Sequence, residues 1–149
     1  MQKDKQILKR FMMIGRQMQK FNRDIILQEC NIKQNEFAVL HMLERYQQKG
    51  VQEMKISDVA KHLKNATSTI SPIIQSLVEK EFISRTTSKE DRRVAMIVLT
   101  DKGNEQLKQI MQRISRQFNE VLARLGTEKT EQLLDLLDEL SKILTDMGE

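Results

Sequence analysis

The chain has 149 residues, 39% hydrophobic and 31% charged, with a formal net charge of +4. That length suits one domain of about 100–200 residues, and its apolar content is too high for a disordered chain. No run approaches the ~18 apolar residues of a membrane span, the polar start at residues 1–9 lacks the apolar centre of a secretion signal, and one cysteine with two histidines cannot form a zinc finger.

Five glycines and one proline predict long helices, because these residues punctuate loops. The first helix is expected over residues 4–30. Ile7, Leu8, Phe11, Ile14, Met18, Phe21 and Ile25 recur every three or four positions and make one stripe. At ~1.5 Å per residue it runs roughly 40 Å, more than a small domain covers by itself. Asn31 is a suitable stop or cap.

A second helix opens at Asn35-Glu36, carries Phe37, Leu40, Leu43 and Tyr46 on its apolar face, and ends before Gly50. Residues 56–63 place Ile56, Val59, Ala60 and Leu63 on one face of a two-turn helix. A further helix starts near Thr67 and buries Ile70, Ile73, Ile74 and Leu77. Its outward face then carries Ser68, Thr69, Ser71, Pro72, Gln75 and Ser76. The period next shifts to two. Phe82–Thr87 and Arg93–Leu99 read as a β-hairpin with a polar turn at residues 88–92. Thr100 caps the next helix, whose stripe runs from Leu107 to Leu125. Gly126 stops it, Thr127 caps the last helix, and Leu133, Leu134, Leu137, Leu140, Ile143, Leu144 and Met147 form the final stripe.

Two short helices joined by about three residues and followed by a hairpin are the parts of a winged helix-turn-helix. The fold class is mainly α with a small β-hairpin wing. A polar helix face fits the major groove, where Gln75 can pair with adenine and Thr69 and Pro72 can meet thymine methyls. The hairpin tip carries Lys89, Asp91, Arg92 and Arg93. Its arginines suit phosphates and the minor groove, with Asp91 bracing one of them through a charge-assisted hydrogen bond. Lys61 and Lys64 are candidates for the DNA backbone. Charge is uneven: residues 1–30 carry seven Lys/Arg against three Asp/Glu, residues 31–99 eleven against eight, and residues 100–149 seven against ten.

From ISDVAKHL through TSTISPIIQSLVEKEFISRTTSKEDRRVAMIVLTDKG, with DRR at 91–93 and LTDKG at 99–103, the sequence resembles the MarR family of bacterial winged-helix transcription regulators. The likeness extends over about residues 5–147. It implies a single MarR-like domain spanning 1–149, with a winged-helix region at about 35–99 and dimerisation helices at about 1–34 and 100–149. It further implies a homodimer on a pseudo-palindromic double-stranded DNA operator, usually as a repressor. By position, Ser68, Thr69, Pro72 and Gln75 take the recognition role and Lys89, Arg92 and Arg93 the wing role, with Asp91 as brace. Three positions depart from the pattern: Lys55 stands where a Thr cap is frequent, Pro72 where Arg is frequent, and Glu81 where Gly is frequent. A left-handed turn at Glu81 costs about 1 kcal/mol without glycine, so strain or another geometry is expected there.

The family commonly releases DNA on binding a small ligand, and Met12, Met13, Met18, Met42 and Met54 suit an adaptable pocket as well as plain core filling. No cofactor is expected. Cys30, placed late in the first helix, reads as a half-buried thiol in a reducing cytoplasm, with redox sensing as the alternative. Cys30, His41 and Glu44 are the alternative for metal sensing. His41 and His62 lack an evident partner and no phosphate-binding glycine loop exists, so catalysis is not expected. The competing class is a helical protein-binding adaptor without DNA binding.

Overall fold

The computed structural model describes residues 2–27 and 30–148. Helix α1 spans Gln2–Leu27, α2 Gln34–Gln48, α3 Ile56–His62 and α4 Thr67–Glu79; α5 spans Asp101–Leu125 and α6 Thr127–Met147. Strands β1 (Glu53–Lys55), β2 (Ile83–Thr87) and β3 (Ala95–Leu99) form an antiparallel sheet in the order β1-β3-β2. The described part of the first helix ends at Leu27, short of the expected residue 30. Residues 28–29 and the side chain of Ile25 lie outside the described residues. Cys30 is in a turn rather than in the helix. Asn31 lies at φ +50°; the end of the helix itself lies outside the described residues.

The chain divides into two compact units, Met1–Met111 and Gln112–Glu149. The core of the first unit is built from Val39, Leu40 and Leu43 of α2, Val59 and Ala60 of α3, Ile70, Ile74 and Leu77 of α4, Ile83, Ile97 and Leu99 of the sheet, and Leu107 and Ile110 of α5, all buried. These are the positions that helical period 3.6 and strand period 2 place on one face. In α6, by contrast, no residue is buried. Leu134, Leu137 and Leu144 are 50%, 40% and 58% exposed.

Strand β1 was not expected from the sequence. Its three residues, EMK, alternate polar–apolar–polar with Met54 buried, but three positions are too few to establish a period. They extend because Glu53, Met54 and Lys55 pair with Val98, Ile97 and Met96, which puts β3 at the centre of the sheet. Arg93 and Val94 also leave the strand they were assigned to, so the hairpin tip runs over residues 88–94.

Three helices end in the same double-bonded turn. After α2, Gly50 N–H bonds Gln47 O and Val51 N–H bonds Tyr46 O. After α3, Lys64 N–H bonds Lys61 O and Asn65 N–H bonds Ala60 O. After α4, Glu81 N–H bonds Val78 O and Phe82 N–H bonds Leu77 O. These are Schellman turns, and each needs one residue in the left-handed region. Gly50 fits at φ +88°, while Lys64 and Glu81 take φ +53° and +62° with a side chain in place. The strain expected at Glu81 is therefore present.

Helix α5 starts where Thr100 ties it to the exit of α4. The Thr100 hydroxyl accepts Gly103 N–H at 3.0 Å and donates between the carbonyls of Glu81 and Phe82, at 2.7 and 3.0 Å. Thr100 is thus the expected cap. At the far end of α5 the cap of α6 is Gly126 rather than Thr127, which is the first helical residue.

Candidate nucleic-acid interface

Helices α3 and α4 pack on each other, and α4 also packs on α2 and β2. With Ile70, Ile74 and Leu77 buried, the 100° step of the helix turns Ser68, Thr69, Pro72 and Gln75 outward, and all four are exposed. Two of the predicted polar groups are not outward. Ser71 is half-buried and its hydroxyl donates to Thr67 O at 2.9 Å. Ser76, read as part of the outward face, donates to Glu36 Oε1 at 2.6 Å and faces α2 instead. Pro72 lies inside the helix; it has no N–H to offer Ser68 O, so that carbonyl is left without its intrahelical donor on the exposed side. The Gln75 amide donates to Glu79 Oε1 at 3.1 Å, an exposed bond within one helix that costs little to exchange for another partner.

Lys61 is exposed in the last turn of α3, and Lys64 is exposed in the left-handed turn that leads into α4. Both lysines are therefore exposed and lie in or just before the turn that enters α4. Lys89, Asp91, Arg92 and Arg93 lie in the hairpin tip, all exposed.

The tip is shaped by its own small side chains. Ser88 Oγ accepts Glu90 N–H and Asp91 N–H at 3.2 and 3.4 Å, Asp91 Oδ1 accepts Arg93 N–H at 2.9 Å, and Val94 N–H closes a turn on Asp91 O at 3.0 Å. Asp91 thus braces the backbone of Arg93, not an arginine side chain as expected. Both guanidinium groups stay outside any ion pair with it.

Sequence reading missed a buried polar node behind α4. Glu36, at the start of α2, is 1% exposed. Its Oε2 accepts Lys33 N–H at 2.8 Å and Lys80 Nζ at 2.8 Å, and Lys80 Nζ also reaches Asn31 O at 2.7 Å. Burial alone would push the Glu36 carboxyl up. The bonds from Lys33, Lys80 and Ser76 outweigh it and hold the pKa below 4.5. Nothing local in the sequence links Glu36 to Lys80; only the fold does. Lys102, 2.6 Å from Glu81 Oε2, lowers that exposed carboxyl as well.

His62 also has a partner that sequence reading did not find. Its Nε2 lies 3.0 Å from Tyr46 Oη, with the rings 5.1 Å apart. His41 stacks on Phe37 at 5.6 Å. Cys30 is half-buried and its carbonyl accepts Gln106 Nε2 at 3.2 Å. Among the described residues, no three His, Cys, Asp or Glu side chains gather to hold a metal ion, and no helix is long and apolar enough to cross a membrane.

The family model described as Transcriptional regulator SarA/Rot matches residues 23–110. The HTH-type transcriptional regulator YpoP of Bacillus subtilis (strain 168) is 30% identical over 111 residues, covering 74% of this chain and 75% of that protein. Among solved structures, the YusO protein from Bacillus subtilis superimposes with a TM-score of 0.77 at 20% identity, over 93% of this chain and 96% of that one. A Staphylococcus aureus MepR–DNA complex superimposes with a TM-score of 0.68 at 25% identity, over 90% of this chain and 96% of that one.

Proposed function

Because the chain belongs to the SarA/Rot family of transcriptional regulators, with the winged-helix fold that its MarR likeness led one to expect, we propose that it binds double-stranded DNA sequence-specifically, as a cytoplasmic homodimer, and represses transcription until a small ligand releases it. The observations that carry this reading are an exposed polar face on α4 and an exposed wing tip bearing Lys89, Arg92 and Arg93. MepR, of similar fold, is solved with DNA.

The division of labour follows from the side chains. Ser68, Thr69, Pro72 and Gln75 read base edges in the major groove, with Ser71 at its margin; Gln75 gives up Glu79 for adenine. No Lys or Arg lies within α4, so this helix brings no positive charge to the phosphates. Lys61 and Lys64 at its entry, and Lys89, Arg92 and Arg93 on the wing, provide that attraction. Asp91 keeps the backbone of Arg93 in the conformation that projects it.

The dimer is supported by unburied apolar surface. In α1, Ile7, Leu8, Phe11 and Ile14 are each 48–59% exposed, and α6 buries nothing within the protomer. Such long apolar faces mark an interaction surface. A second copy also supplies the twofold symmetry that a pseudo-palindromic operator requires. Exposed Met12, Met13 and Met18 of α1 support an adaptable ligand site at that level of the molecule.

Hydroxyl-radical footprinting of the DNA upstream of the protein's own gene tests the reading. Two protected patches related by a twofold axis, about 34–36 Å apart, are expected. Uniform reactivity along the fragment, at protein concentrations that saturate heparin, overturns it.

A further inference from the structure

Lys80 caps the C-terminal end of α4 and is a natural candidate for a phosphate contact, yet its ammonium group is bonded within the protein. It is held between Glu36 Oε2 and Asn31 O, at 2.8 and 2.7 Å. Ser76, one turn earlier on the same flank of α4, donates to the other Glu36 oxygen at 2.6 Å. Asn31 belongs to the short connector between α1 and α2 and sits at φ +50°. A single buried carboxylate thus gathers the connector, the first turn of α2 and the last turn and a half of α4.

Such a node is a costly way to obtain stability. Desolvating a carboxylate and an ammonium group consumes most of the attraction between them, and apolar pairs of similar size do as well or better. What a fully bonded polar node does supply is a unique geometry, because any displacement of a partner leaves a charge unpaired in a poorly solvated place. The partner here is the helix that carries Ser68, Pro72 and Gln75 on its exposed face.

We propose that Glu36 and Lys80 form a positioning joint: they fix the setting of α4 against the α1–α2 connector, so that the position of the connector sets operator affinity without either residue touching DNA. The proposal deepens the reading of α4 as the DNA-reading helix and rests on it.

The test uses the full-length protein and the duplex that the parent enriches from a randomised pool, with affinity measured by fluorescence anisotropy across a salt series. In the paired variant Glu36→Met with Lys80→Met, the urea midpoint is expected at or above the parent's, while affinity for that duplex falls at least tenfold with an unchanged salt slope. Affinity within threefold of the parent at full stability overturns the proposal and leaves the node a packing feature. A salt slope smaller by about 0.9 overturns it too, because Lys80 is then a phosphate contact. Should the paired variant not fold, Glu36→Gln and Lys80→Arg decide. Glu36→Gln is expected to weaken binding at least fivefold at constant slope, and Lys80→Arg, which keeps the charge, to stay closer to the parent. Parent-like affinity for Glu36→Gln is the contrary result. A folded parent that enriches no duplex at all refutes the DNA reading itself, and the joint falls with it.

Discussion

Replacing Gly103 by alanine separates a helix start that is packed from one that is merely solvated. A Cβ at this position would lie 2.1 Å from Phe82 O and 2.8 Å from Leu99 Cδ1. The Leu99 contact is the end of a flexible side chain, whereas the Phe82 contact is a backbone carbonyl. It accepts Thr100 N–H at 3.1 Å and faces the Thr100 hydroxyl at 3.0 Å. To reach even 3.0 Å from the new carbon, the carbonyl has to retreat by about 0.9 Å, which strains both bonds. Overpacking of this kind costs about 1–3 kcal/mol, and weakening two hydrogen bonds adds about 0.5–1.5 kcal/mol each. Alanine returns up to ~1 kcal/mol through better helix propensity. The balance is a loss of about 1–5 kcal/mol. Urea unfolding followed by circular dichroism, at one fixed protein concentration because association affects apparent stability, measures it. A Gly103→Ala variant as stable as the parent, or more stable, refutes the close approach of α5 to Phe82. A freely solvated glycine would give that opposite sign.

The left-handed residues give a matched pair of effects. Lys64→Gly and Glu81→Gly should each raise stability by roughly 0.5–1 kcal/mol, since relief of ~1–2 kcal/mol of backbone strain exceeds the entropy that glycine adds to the unfolded chain; Gly50→Ala should lower it by a similar amount, all read in the same urea assay. The Glu36 carboxyl predicts an acid limb. Its folded pKa lies below the ordinary 4.5, so its contribution is complete above that value and disappears as pH falls through the folded pKa. Thermal melts from pH 7 down to pH 3 should show the loss in the parent and a flatter profile in Glu36→Gln. On the wing, Asp91→Asn keeps an oxygen for Arg93 N–H and should bind DNA within a fewfold of the parent, whereas Asp91→Ala should lose several times more; equal losses would mean that the charge of Asp91, not its acceptor, matters.

Much of this fold was legible in residue order because its main signals are local. Ile70, Ile74 and Leu77 announce the buried side of α4, and by subtraction the exposed one. Thr100 announces a cap, and Gly50 announces a helix end. What stayed hidden depends on partners distant in the chain. Strand β1 exists only through β3, 43 residues beyond it at the Met54–Ile97 pair. Ser76 looked like a surface serine because its acceptor, Glu36, is 40 positions away. His62 looked solitary because Tyr46 reaches it from another helix. The role of Asp91 was read as charge on charge. The tip instead uses its carboxylate as a local backbone acceptor, a habit of Asp in tight turns.

The most direct test of the central claim is the salt dependence of binding to the duplex enriched from a randomised pool, for the parent and for Arg93→Ala. Polyanion contacts through the wings and the entry lysines predict a log–log slope that is steep for the parent and about 0.9 units shallower for each arginine removed from a phosphate, with affinity down by more than tenfold. An affinity indifferent to salt, or an Arg93→Ala protein that binds as tightly and with the same slope as the parent, would contradict it.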